Sequence, residues 1–103
     1  MRNAWVMTLK AGHEAEYRRK HDEIWPEMVE LLKRQGIRNY TIYQHGLTLF
    51  AYNERDDNFP VTAESEPNAV IRRWWLAMAP HMETTGPFSA PVAEKLTEIF
   101  RLD

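Results

Sequence analysis

Three features of these 103 residues predict an α+β domain of βαββαβ order. Segments 4–9, 37–44, 47–54 and 96–102 have strand character, rich in apolar, β-branched and aromatic residues, the last three alternating. Two other segments carry apolar residues at helical spacing. His45-Gly46 lies between the second and third strand segments as a tight hairpin signal. In sequence these elements give the ferredoxin-like split βαβ arrangement, formed by one domain over residues 1–103.

Each element has a local reason. Segment 4–9 (Ala4-Trp5-Val6-Met7-Thr8-Leu9) is apolar on both faces, and a short connection over 10–13 turns through Gly12. A long helical stripe follows, formed by Tyr17, His21, Ile24, Trp25, Met28, Leu31 and Leu32. Pro26 removes a helical hydrogen bond and disfavours helical backbone at Trp25, so a kink or a break into two helices is expected. The second piece then starts at Asp22 or Trp25 and ends at Gly36. After the hairpin, residues 56–63 read as a loop. Pro67 opens a shorter helix with the stripe Val70, Ile71, Trp74, Trp75 and Met78, and Pro80 ends it. Residues 86–91 are irregular, and 96–102 alternate as a last strand.

The strands impose a further requirement. Trp5, Met7 and Leu9 oppose Ala4 and Val6; Leu47, Leu49 and Ala51 oppose Phe50 and Tyr52. Two helices cover only one face of a four-stranded sheet. The other face needs a second sheet or a ligand cavity, and a symmetric homodimer supplies both.

Composition narrows the chemistry. A net charge of −2 argues against nucleic-acid or anionic-membrane partners. The absence of cysteine excludes disulfides, thiolate metal sites and cysteine nucleophiles. No stretch is long or apolar enough to span a bilayer and the N-terminus has no signal-peptide pattern, so the cytoplasm is the expected location. No metal-ligand pair or phosphate loop is present, and His21-Asp22-Glu23 has the wrong spacing for two ligands on one helical face.

The candidate site begins at Tyr17, His21 and Trp25, four residues apart along one helical face. Trp74 and Trp75 add two indoles from the other helix. Aromatic planes around one imidazole suit a small, neutral, polyhydroxylated ligand such as a sugar, whose C–H face stacks on indole while its hydroxyls bond Tyr and His. The competing reading of His21 is a buried histidine tied to a backbone carbonyl. Adjacent Trp74 and Trp75 project about 100° apart, so one is expected in the core and the other, Trp75, at the cavity. Tyr40 and Tyr43 fall on opposite faces of their strand, with Tyr43 the packing residue. His13 is expected to face solvent and His45 lies in a turn, whereas His81 is the other histidine of interest.

Tyr17/His21/Ile24-Trp25-Pro26-Glu27, Asn39-Tyr40-Thr41-Ile42-Tyr43, Leu49-Phe50-Ala51 and Arg73-Trp74-Trp75, in that order, resemble the L-rhamnose mutarotase family over nearly the whole chain. The resemblance implies a cytoplasmic dimeric α/β barrel that needs no cofactor or metal and interconverts the α and β anomers of L-rhamnose. His21 is then the acid, and Tyr17, Tyr40, Trp74 and Trp75 contact the sugar. Three departures stand out: the hairpin from Tyr43 to Leu49 is shorter than usual, the run from Asn53 to Asn58 replaces a more apolar strand end, and 86–91 lacks the family's Asn-Pro-Asp-x-Ser-Pro pattern. Another 6-deoxy sugar such as L-fucose is therefore an alternative substrate. A dimeric α/β-barrel monooxygenase and a non-catalytic sugar-binding dimer are the rival classes.

Overall fold

A computed structural model describes residues 1–56 and 68–103. β1 (Arg2–Thr8) leads to α1 (Glu14–Asp22), whose acidic first turn and basic last turn complement the helix dipole. The chain leaves helical geometry at Glu23 and re-enters it at α2 (Pro26–Arg34). Trp25 caps α2 with extended backbone, φ −62° and ψ 134°, and Pro26 occupies the first turn, where its missing N–H costs nothing. The break expected at Pro26 is present. Trp25 starts the second piece, and Asp22 ends the first.

Gly36, at φ 76°, turns the chain into β2 (Ile37–His45). β3 (Thr48–Arg55) returns antiparallel, His45 opposite Thr48, so the turn residues are Gly46-Leu47, one position later than His45-Gly46. β2 carries a bulge between Arg38 and Thr41, centred on Asn39 at φ 51°. The expected loop over 56–63 and the helix start at Pro67 fall almost wholly outside the described residues. α3 (Ala69–Met78) is capped by Asn68, whose Oδ1 accepts from the Val70 N–H at 2.8 Å. A 3-10 turn, Ala79–His81, follows it through Pro80.

The C-terminal region departs from expectation. Residues 84–91 form a small hairpin of β4 (Thr84–Thr85) and β5 (Ala90–Pro91), turning through Gly86 and Ser89 at positive φ. No strand forms over 96–102. The last paired segment is β6 (Glu94–Lys95), opposite Val6 and Trp5, followed by one bond from Leu96 N–H to the Ala4 carbonyl. Continued, this register brings Glu98 to Arg2, where the side chains ion-pair, and β1 then ends. Ile99 and Phe100 lie beyond it, 89% and 80% exposed.

The main sheet is antiparallel, in the order β2–β3–β1–β6. Met7, Leu49 and Ala51 point from one face into a core shared with Leu9, Tyr17, Met28, Trp74, Met78 and Met82. The opposite face is open to solvent at Phe50 and at Tyr43, which is 66% exposed. Tyr43 does not pack in the core; the strand period turns it outward.

Candidate active site

α1, α2 and β2 enclose an open cavity of about 850 Å³. A smaller space of about 340 Å³ lies between α3 and the sheet. Tyr17, His21, Tyr40 and Trp74 line both, while Trp75 lines only the smaller. The structure therefore brings four of the five expected site residues together and sets the fifth at the inner end.

His21 is the hub. Its ring lies 4.3 Å from that of Tyr17, tilted 36°, and meets Trp74 edge-on at 5.3 Å. Helical spacing sets its Nδ1 2.9 Å from the Tyr17 carbonyl oxygen. A carbonyl only accepts, so Nδ1 carries the proton and donates it, leaving Nε2 as the exchangeable nitrogen. The carbonyl tether of the competing reading is thus real, yet it engages only one of the two ring nitrogens. Burial lowers the His21 pKa, against the opposing effects of the Tyr17 carbonyl and the Asp22 charge.

The phenols respond in the opposite sense. Burial raises Tyr40 to about 12 and pushes Tyr17 higher still, with a further rise from Tyr40 nearby. Tyr40 keeps 41% of its surface, so burial acts on it only in part. Both remain protonated across the physiological range, suited to donating hydrogen bonds. Tyr40 owes its orientation to the β2 bulge, and its ring meets Trp5 edge-on at 5.7 Å.

The two tryptophans do not divide cleanly into core and cavity. Trp74 does both: it is 8% exposed within the core cluster and also touches His21. Trp75 is half-buried. Trp25 is displaced from the Tyr17–His21 face by the helix break; it packs edge-on to Trp74 at 5.1 Å and lines neither cavity. His13 is not a free surface residue. Its Nδ1 lies 2.9 Å from Nδ1 of buried His81, and neither histidine lines the cavities.

Spacing arguments leave out Gln35 and Asn53, which both line the inner cavity. The available signal was Asn53 itself, a polar residue continuing the core-facing series Leu49, Ala51. Among the described residues no group of three or more His, Asp or Glu is placed to hold a metal ion. No helix there is long and apolar enough to cross a membrane.

Comparison with known proteins finds relatives over the whole length of the chain. An L-rhamnose mutarotase from Listeria monocytogenes is 43% identical over 105 residues, spanning 98% of this chain and 97% of its own. One from Bacillus subtilis is 43% identical over 106 residues, spanning 99% and 98%. A crystal structure of L-rhamnose mutarotase from Formosa agariphila superposes with a TM-score of 0.86 at 31% identity, covering 100% of this chain and 99% of that one. The family model described as L-rhamnose mutarotase matches residues 2–102, and the chain belongs to the L-rhamnose mutarotase family.

Proposed function

We propose that this protein interconverts the α and β anomers of L-rhamnose through His21. The observation that carries the reading is an imidazole tethered at Nδ1 and without a partner at Nε2 among the described residues, set among Tyr17, Tyr40 and Trp74 in a chain of this family. Protonated Nε2 gives its proton to the ring oxygen as the bond from the anomeric carbon to that oxygen breaks. The anomeric hydroxyl loses its proton and becomes the aldehyde oxygen. Rotation about the adjacent carbon–carbon bond presents the other face, the former ring oxygen attacks it and its proton returns to Nε2, while the group that took the anomeric proton gives it back to the aldehyde oxygen to restore the hydroxyl. The balance closes without a redox step or covalent intermediate, and such acid–base help contributes roughly 10²–10⁴-fold.

Tyr17, Tyr40, Trp74 and Trp75 hold the sugar in this scheme. High phenol pKa values fit Tyr17 and Tyr40 to donate to sugar oxygens, and they remove Tyr40 from the groups that would take the anomeric proton. A water molecule or a carboxylate such as Asp22, which lines the outer cavity, serves there.

The same proposal covers the assembly: one ferredoxin-like domain pairing with a second copy as a dimeric α/β barrel in the cytoplasm. The strand order and the uncovered apolar sheet face with Phe50 and Tyr43 support it. Saturation-transfer NMR on L-rhamnose and L-fucose, without added metal or cofactor, tests the function. Exchange above the buffer blank for L-rhamnose is expected; blank rates for both sugars would refute it.

A further inference from the structure

Asn53 is the polar anomaly of the inner cavity. Strand alternation turns it toward the helices with Leu49 and Ala51, and it is only 8% exposed. A buried carboxamide is costly unless both of its ends are bonded. One end is: Asn3 Nδ2 reaches Asn53 Oδ1, at a long 3.3 Å. The other end has no partner among the described residues. It is not sealed off either, since the one fully enclosed, unpartnered side-chain nitrogen or oxygen among those residues is Arg55 Nε. Asn53 is part of the wall of this cavity, and its unpartnered end is not fully enclosed. Exchanging the amide's oxygen and nitrogen leaves the argument unchanged, because one end still lacks a partner.

Its surroundings define what it would meet. Met7, Ile71, Met78 and Trp75 make that cavity largely apolar, and Tyr17, His21 and Tyr40 gather on its reacting side. Asn53 sits one step along the sheet from the Trp5–Ala51 pair, and Trp5 packs against Tyr40. Same-face diagonal neighbours in a sheet lie about 7–8 Å apart, roughly the span of a pyranose with its hydroxyls.

Resting on the mutarotase reading above, we infer that Asn53 is a specificity-determining residue that hydrogen-bonds the hydroxyl on C4 of the sugar. With His21 at the anomeric carbon and ring oxygen, C3 and C4 lie across the ring, and C4 is the one of the two whose configuration separates L-rhamnose from L-fucose. L-rhamnose and L-fucose differ in configuration at C2 and C4, so a fixed carboxamide at C4 favours L-rhamnose. A site built to bond a hydroxyl rejects an analogue lacking it far more strongly than an apolar pocket rejects an added group.

The test compares L-rhamnose with 4-deoxy-L-rhamnose on the wild-type protein and on Asn53→Leu. Exchange is read by saturation-transfer NMR and binding by tryptophan fluorescence. The wild-type protein should lose about tenfold or more in kcat/KM with the 4-deoxy sugar, mainly through KM. Asn53→Leu should show a similar loss on L-rhamnose and little difference between the sugars. A wild-type protein that treats both sugars alike overturns the assignment without any variant, as does full discrimination kept by Asn53→Leu. L-rhamnose binding without exchange removes the mutarotase reading but leaves Asn53 testable by affinity for the two sugars. Absence of both exchange and binding overturns both.

Discussion

Replacing Trp74 with Phe should injure stability and turnover together, and the structure sets how much. Trp74 is 8% exposed and meets Trp25 and His21 edge-on. Trading indole for phenyl removes roughly 40 Å² of buried apolar surface, worth about 1 kcal/mol at ~25 cal/mol per Å². The unfilled space, on the order of 40 Å³, adds about 1 kcal/mol at ~24 cal/mol per Å³. Weakened edge contacts contribute about 0.5 kcal/mol more. The sum, about 2–3 kcal/mol, corresponds to a Tm lower by roughly 10–20 °C in a domain near 100 residues. Trp75 is half-buried at a cavity edge, so Trp75→Phe leaves no enclosed void and should cost under about 1 kcal/mol. Thermal melts at one fixed protein concentration, paired with exchange rates on L-rhamnose, make the comparison. Trp74→Phe should also slow exchange several-fold, because the imidazole loses part of its wall; Trp75→Phe should act mainly on KM. Equal Tm losses for the two variants, or a Trp74→Phe protein slowed without destabilisation, would refute the dual role of Trp74.

Other outcomes follow from the same geometry. His21→Ala should lower exchange by about 10²-fold or more with the fold retained, whereas His81→Ala, outside the cavity walls, should keep the chemistry; a larger rate loss at His81 would reassign the acid. Burial places the His21 pKa below the ordinary 6.5, so the acid form is the minority at neutral pH. Buffer-corrected kcat/KM should rise from pH 8 toward pH 6, and a fall over that range would make neutral His21 the initiating base. Folding stability should move the other way: His21 and His81 both have folded pKa values lowered chiefly by burial, so the unfolded chain binds more protons. Their contribution is complete above about pH 7 and is lost as pH falls through 6.5 toward the folded values, and a Tm unchanged between pH 7.5 and 5.5 would contradict this. Sedimentation at micromolar concentration should give a dimer, and Phe50→Asp on the uncovered sheet face should give monomer; a wild-type monomer would refute the barrel.

Much of this architecture was legible because it depends on local chemistry. Proline at position 26 acts through its own ring and missing N–H, so an interruption of the helix could be expected there, with Trp25 one of the two starts offered for the second piece. The hairpin was readable for the same reason, slipped by one position. The 96–102 segment was misread because alternation reports which faces a strand would show, not whether a neighbour is there to pair with it. Here β1 ends at Arg2, and the alternating residues run past its edge. Within the site, Tyr17 and His21 were placed by helical period alone. The Nδ1 tether, the bulge that aims Tyr40, and the His13–His81 contact depend on main-chain geometry or on residues 68 apart, which spacing cannot report.

The helix break explains more than the route of the chain. Had one continuous helix run from Glu14 to Arg34, Trp25 would have followed Tyr17 and His21 along the same stripe and stood beside the imidazole. Extended backbone at Trp25 instead swings its indole behind Trp74, and a different helix supplies the ring that faces His21. The residues flanking these rings fasten the arrangement from outside. Glu27, next after Pro26, accepts from Arg73 Nη2 at 3.0 Å, and the same guanidinium lies 5.7 Å from the centre of the Trp25 ring. An exposed ion pair of this kind contributes at most about 1 kcal/mol, too little to hold two helices together. Its value is geometric: it ties the start of α2 to α3 at the point where two indoles must stay in register for one imidazole to keep its wall. Pro-Glu and Arg-Trp-Trp, separate motifs in the sequence, are in this sense two halves of one support for His21.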